Sequence, residues 1–211
     1  MNLLQQRLLN GWPLFFVVTA ITSSGMMLVL AFIGVSTPEA TVEMIRYSVR
    51  FSAPWIFIAF ATSALVQFFP SELTRWLARN RRYTALSFAA ALAWQAVFIA
   101  VLLALYSPYY WNVLHKNSEL ITRIVLYVVL IALAVTSLFP VRRRMRREHW
   151  RWLHLVGIWI LWLTVWSTYT AQAFGEKPKT IDTVYAVLGT LALAFRITAY
   201  FQRLARRPAV S

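Results

Sequence analysis

Apolar residues gather in six long runs along this chain, separated by short polar and basic intervals. Read with a window of about 19 residues, the runs fall near 12–35, 51–70, 84–106, 121–140, 153–174 and 181–201. Each is close to the roughly 20 residues a helix needs to cross a hydrocarbon core, so the pattern predicts six transmembrane helices. Ser23, Ser24 and Gly25 interrupt the first run, and small residues at such a point let a neighbouring helix come close. Pro70 and Pro140 are expected to close the second and fourth spans, because proline cannot donate to the preceding turn. The first run is expected to remain a helix rather than a cleaved leader. Only Arg7 precedes it, its apolar stretch is too long, and no small-residue cleavage site is evident.

The intervals are too short to hold a soluble domain and contain no Gly/Ser linker, low-complexity segment or obvious short-period repeat. The expectation is an all-α integral membrane fold over residues 1–211, a single six-helix up-and-down bundle with antiparallel neighbours.

Composition narrows the function classes. Apolar residues make up 60% of the chain and charged ones 13%, against about 25% charged in a soluble domain, which excludes intrinsic disorder. With no cysteine, the chain has no disulfide, thiolate nucleophile, cysteine-bound zinc or iron–sulfur cluster. A net charge of +14 would suit a nucleic-acid binder, but the cations sit between apolar runs, so no nucleic-acid partner is expected. The partner that the runs imply is the lipid bilayer.

Charge placement sets an orientation. The N-terminal end, the 2–3 and 4–5 loops and the C-terminal end together carry fourteen arginines against Glu72 and Glu148. The other side carries Arg46, Arg50, Lys116, Arg123, Lys177 and Lys179, nearly balanced by Glu39, Glu43, Glu119, Glu176 and Asp182. The positive-inside rule then places both termini in the cytoplasm. The basic run Val141–Arg147 is read first as a topological anchor, and second as a surface for anionic headgroups or an acidic partner.

Ionisable residues inside the spans are where membrane-embedded chemistry normally shows, since each costs about 2.5–3.5 kcal/mol on insertion scales. No Asp or Glu lies well inside a span, which leaves proton relays and carboxylate cation sites without candidates. Arg196, about five residues from the cytoplasmic end of the last span, is expected to snorkel to the headgroups. His115 is expected at the outer interface beside Tyr109, Tyr110 and Trp111, and His149 solvated in the inner loop. His154 opens the fifth span; an imidazole there either bonds a neighbouring helix or ligates haem iron. Trp159, Trp162 and Trp166 form one helical stripe, expected to face lipid or pack the bundle. Five residues of helix rotate by about 140°, so the stripe and His154 are not expected to form one site.

These pieces together resemble the ferric reductase-like transmembrane domain, and within it the haem-bearing membrane subunit of bacterial methionine-sulfoxide reductase systems. The matching residues are Arg50 entering span two, Arg81-Arg82 before span three, Ala132-Leu133-Ala134-Val135-Thr136-Ser137 closing span four, and Trp150-x-x-Leu153-His154 starting span five. The likeness covers most of residues 45–205. It implies a cytochrome of a bacterial-type inner membrane that passes electrons through b-type haem held between spans three and five, from quinone or a separate flavoprotein.

The ligand set departs from that pattern. Where the family offers a histidine about thirteen residues after the Arg-Arg pair, this chain has Gln95; where it offers a second histidine thirteen residues after the first, this chain has Ser167. Neither side chain is a usual axial ligand. Two readings follow. In one, the chain is a ligand-depleted relative without cofactor, a membrane anchor or interaction subunit, with Gln95 and Ser167 hydrogen-bonding across helices. In the other, it carries a single haem b on His154, completed by a methionine such as Met26 or Met27 or by a partner's residue. No complete catalytic constellation and no nucleotide-binding motif is present. A small transporter is disfavoured by the lack of intramembrane carboxylates and of broken half-helices.

Overall fold

The computed structural model describes residues 4, 6–114 and 117–206. Six helices in it are long and apolar enough to cross a membrane: α1 (Trp12–Ile33), α2 (Pro38–Phe68), α3 (Glu72–Leu105), α4 (Asn117–Ser137), α5 (Arg147–Ala173) and α6 (Thr180–Ala205). No strand occurs among the described residues. Short connections make consecutive helices antiparallel. Shorter helical turns, Ser107–Tyr109, Tyr110–Leu114 and Phe139–Arg144, occupy the two longer connections.

Two helices extend well past the apolar runs. The 31 residues of α2 and 34 of α3 span about 46 and 51 Å at 1.5 Å per residue, more than a hydrocarbon core requires. Their surplus turns carry Glu39, Glu43, Arg46 and Arg50 in α2 and Arg75, Arg79, Arg81 and Arg82 in α3. A hydropathy window registers the lipid-facing stretch and misses such amphipathic turns, so spans read as 51–70 and 84–106 correspond to the C-terminal parts of longer helices, which end at Phe68 and Leu105. The fourth span also differs: α4 stops at Ser137, and Pro140 sits in the first turn of the next short helix.

The starts of the helices carry local reasons in sequence. Thr37 accepts from the Ala40 amide (3.2 Å) to cap α2, with Pro38 following at the first helical position. Ser71 accepts from the Thr74 amide (3.2 Å) to cap α3. Asp182 accepts from the Lys179 amide (3.3 Å) at the start of α6. At α1 the cap comes from another helix: buried Asn80 of α3 accepts from the Gly11 amide (2.9 Å), and Gly11 has φ of 68°, a conformation that suits glycine.

α2 is the hub, packed against α1, α3, α5 and α6. Its inner faces are made of small residues, with Ala53, Ala59, Ala64, Ser48 and Ser52 fully buried, and small residues let membrane helices approach closely. Around them Phe57, Phe60, Phe88, Leu161 and Trp162 form the main core. A second cluster of Met26, Met44 and Phe98 joins α1, α2 and α3. The interruption at 23–25 is such a contact: Ser23 accepts from the Trp94 indole (3.1 Å), and a Cβ on Gly25 would lie 2.9 Å from the Phe51 ring. The outer surface is apolar instead of polar, with Phe16, Ile21, Val128, Ile131 and Leu163 exposed, as expected where lipid is the solvent.

Backbone groups in lipid need partners inside the protein, and a proline and a helix end show how the chain meets this. Pro54 has no N–H for the Arg50 carbonyl four residues back, and the Tyr185 hydroxyl of α6 donates to that carbonyl instead (3.0 Å). The Thr136 carbonyl, in the last turn of α4, has no donor in its own helix, and the Trp150 indole of α5 supplies one (3.1 Å). α2 and α6 are thereby joined near one end. At the other end Gln67 donates to the Ala199 carbonyl (3.3 Å) and to the Gln202 carboxamide (3.1 Å).

Candidate functional site

His154 lies in the second turn of α5 at the arginine-rich end, half-buried against the end of α4. Its Nε2 is 3.1 Å from the Thr136 hydroxyl oxygen. That hydroxyl has a single proton, and its short contact with the Ala132 carbonyl (2.6 Å) claims it. The imidazole is therefore the donor: Nε2 carries the hydrogen, and Nδ1 keeps the lone pair. The Trp150 ring packs on the imidazole, with centroids 4.4 Å apart and planes inclined by 33°. The Arg142 guanidinium covers Trp150, 4.4 Å from that ring. Of the two roles read for His154, the structure shows the bond to a neighbouring helix.

His154 also lines a cavity of ≈ 390 Å³ among α2 to α6. Its deeper wall is apolar, built from Ile56, Ala89, Leu130, Leu133, Ile158 and Leu161. Five arginines line it as well: Arg81, Arg82, Arg142, Arg151 and Arg196. No aspartate or glutamate does.

Two of these arginines turn inward. Arg81 donates from Nε to the Ala59 carbonyl (2.9 Å), and Arg196 from Nη1 to the Phe60 carbonyl (3.2 Å). The Arg196 guanidinium also lies 4.2 Å from the Phe60 ring centroid and 5.1 Å from that of Trp159. The expectation that Arg196 snorkels outward is thus corrected. The Phe60 carbonyl and ring of α2 and the Trp159 ring of α5 give its charge partners. Arg142 and Arg151 are exposed. None of Arg81, Arg142, Arg151 and Arg196 is paired with a carboxylate among the described residues.

The tryptophan stripe packs the bundle. Trp162 is 2% exposed and sandwiched between Phe60 (4.7 Å, 12°) and Trp166 (5.2 Å, 11°). None of the three tryptophans lines the His154 cavity; Arg196, which does, lies over Trp159.

The positions where the resemblance expects further ligands are spent on local bonds. Gln95 accepts from the Tyr127 hydroxyl (2.9 Å), a bond from α3 to α4 as expected. Ser167, expected to reach another helix, instead donates to the Thr164 carbonyl of its own helix (3.1 Å) and is exposed, the back-bonding common for helical serine. No methionine lines the cavity. Met26 is buried with Met44 and Phe98 in the separate α1–α3 cluster, and Met27 is exposed. Met44 is a further methionine within a membrane helix, brought in by the longer α2. His149 is exposed in the first turn of α5 and not in a loop; His115 lies outside the described residues. Among the described residues no three His, Cys, Asp or Glu side chains gather as a metal site would require. Among the described residues, a haem at this cavity would thus find one imidazole, its Nε2 engaged by Thr136, and no second axial donor on the cavity wall. The residues present do not fit a bis-histidine haem.

Sequence reading missed the other charged centre. At the end away from His154, Glu43 accepts from Arg46 (3.1 Å), Arg50 (3.2 Å) and Lys179 (3.1 Å). Glu43 and Arg46 show the i, i+3 spacing of a helical pair, a signal available in sequence, whereas Lys179 arrives from the start of α6. Beside this centre is a cavity of ≈ 660 Å³ lined by Arg46, Arg50, Gln95, Arg123 and Tyr169 among others.

The chain matches no protein-family model, no curated protein and no solved structure. Fold and site define a multi-pass, all-helical membrane protein with a basic cavity at one end.

Proposed function

We propose that the chain is a ligand-depleted, ferric reductase-like membrane protein that works as the anchor or interaction subunit of a larger complex. Its arginine-rich end and both termini face the cytoplasm of a bacterial-type inner membrane. The observation that carries this reading is the state of the three ligand positions. His154 donates to Thr136, Gln95 accepts from Tyr127, and Ser167 bonds its own helix. Each side chain contributes to structure, and among the described residues no pair of imidazoles faces across the bundle. The charge asymmetry supports the orientation.

A subunit of this kind travels with its complex. Solubilised from its native membrane in a mild detergent, the chain should migrate in an assembly containing other polypeptides. Migration of the 24.4 kDa chain alone or only with copies of itself would contradict the reading.

The second reading, a single haem b on His154, is favoured by one observation: His154 lines a cavity that also presents arginines, which suit carboxylate groups. Haem there would need His154 to ligate through Nδ1, or to give up Thr136.

A further inference from the structure

We infer that the His154 cavity is a binding site for an anionic phospholipid from the leaflet on the arginine-rich side, the phosphate held by arginines and an acyl chain lying along the apolar wall. The first ground is charge. Of the arginines lining this cavity, Arg81, Arg142, Arg151 and Arg196 have no carboxylate partner among the described residues, whereas at the opposite end three cations converge on Glu43. Cations left uncompensated at membrane depth are costly, and an anion from outside the chain removes that cost. Arginine suits phosphate because its planar fork donates two parallel hydrogen bonds to phosphate oxygens.

The second ground is how the arginines are disposed. Arg81 and Arg196 each spend one nitrogen on a carbonyl of α2, which fixes the guanidinium beside the cavity and leaves other N–H donors for a ligand. Arg142 and Arg151 are exposed at the same cavity, so charge runs from solvent to the half-buried pair.

The third ground is the shape of the rest. At ≈ 390 Å³ the cavity falls in the ordinary range of ligand pockets, about 300–1,000 Å³. Away from the arginines, His154 and Ser137, its wall includes Ala85, Leu86 and Ala89 of α3 and Leu130, Leu133 and Ala134 of α4, a surface suited to hydrocarbon. A free phosphate would leave that wall uncovered, and an uncharged lipid would leave the arginines unmatched. Basic pockets between membrane helices on the cytoplasmic side are a known setting for anionic headgroups.

The experiment is native mass spectrometry of the detergent-purified full chain, with phosphatidylglycerol or phosphatidylcholine titrated in. Phosphatidylglycerol should form a one-to-one adduct that survives where phosphatidylcholine does not. The double variant Arg142→Gln/Arg151→Gln, in exposed residues whose loss spares the core, should weaken that adduct roughly tenfold. Arg143→Gln/Arg144→Gln, just as basic but off the cavity wall, should leave it within about twofold of the parent. Inorganic phosphate at the same concentrations should not compete. Equal adducts with both lipids, equal weakening by both double variants, or full competition by inorganic phosphate would each overturn the assignment.

Discussion

The two ends of this bundle handle positive charge in opposite ways. At one end Arg46, Arg50 and Lys179 share the single carboxylate of Glu43, and the start of α6 is drawn onto α2 by it. At the other, Arg81 and Arg196 hold backbone carbonyls, Arg196 and Arg142 lie over aromatic rings, and no carboxylate lines the cavity they share. An ion pair is complete within the chain. A guanidinium on a carbonyl keeps its full charge and most of its donors. The paired end is built for structure, and the unpaired end is built to meet something else.

The largest expected effect comes from making the paired end resemble the unpaired one. Glu43→Gln removes the charge that three cations share and leaves Arg50, whose side chain is 13% exposed, without its partner. We expect a loss of about 2 kcal/mol, the scale of a charged hydrogen bond, read as a lower thermal midpoint in detergent. An unchanged midpoint would mean that the Glu43 cluster is a surface feature of little weight.

A smaller loss is expected where the unpaired end is neutral. Thr136→Val keeps the shape of the side chain and removes the acceptor of the imidazole N–H, costing about 1 kcal/mol. Thr136→Ser keeps a hydroxyl that can accept from the imidazole, and should recover part of that loss. A midpoint that Thr136→Val leaves unchanged would show that the imidazole does not rely on this hydroxyl.

The smallest effect on stability is expected from Arg143→Gln/Arg144→Gln. Both side chains are exposed and off the cavity wall, so the change should stay within about 0.5 kcal/mol. It should act on insertion or yield instead, if the proposed orientation, set by this charge, holds. Reporter fusions placing the Arg142–Arg147 segment outside the cytoplasm would overturn the orientation.

The six membrane helices are legible because a lipid-facing surface writes an uninterrupted apolar run into the sequence. Their true lengths are not, since the first turns of α2 and the Arg75–Arg82 turns of α3 are amphipathic and lie beyond those runs. The close contact at Ser23–Gly25 can be read from small residues alone. Arg196 can be singled out as the cation within a span but not aimed. Its distance from the helix end suits outward snorkelling, and only the placement of α2 supplies Phe60 as a better partner. His154 and Thr136 both fall in segments that carry the family resemblance, yet their pairing is set by the packing of α4 on α5. Ser167 departs from its expected role because a serine in a helix has a partner in its own previous turn.

Whether the bundle carries haem is tested most directly by the visible spectrum of the purified protein after reduction with dithionite. With His154 held by Thr136 and Trp150 and no second axial donor lining its cavity, the visible region should be flat. Sharp reduced α and Soret bands at one haem per chain, abolished by His154→Ala, would contradict this and make His154 an axial ligand.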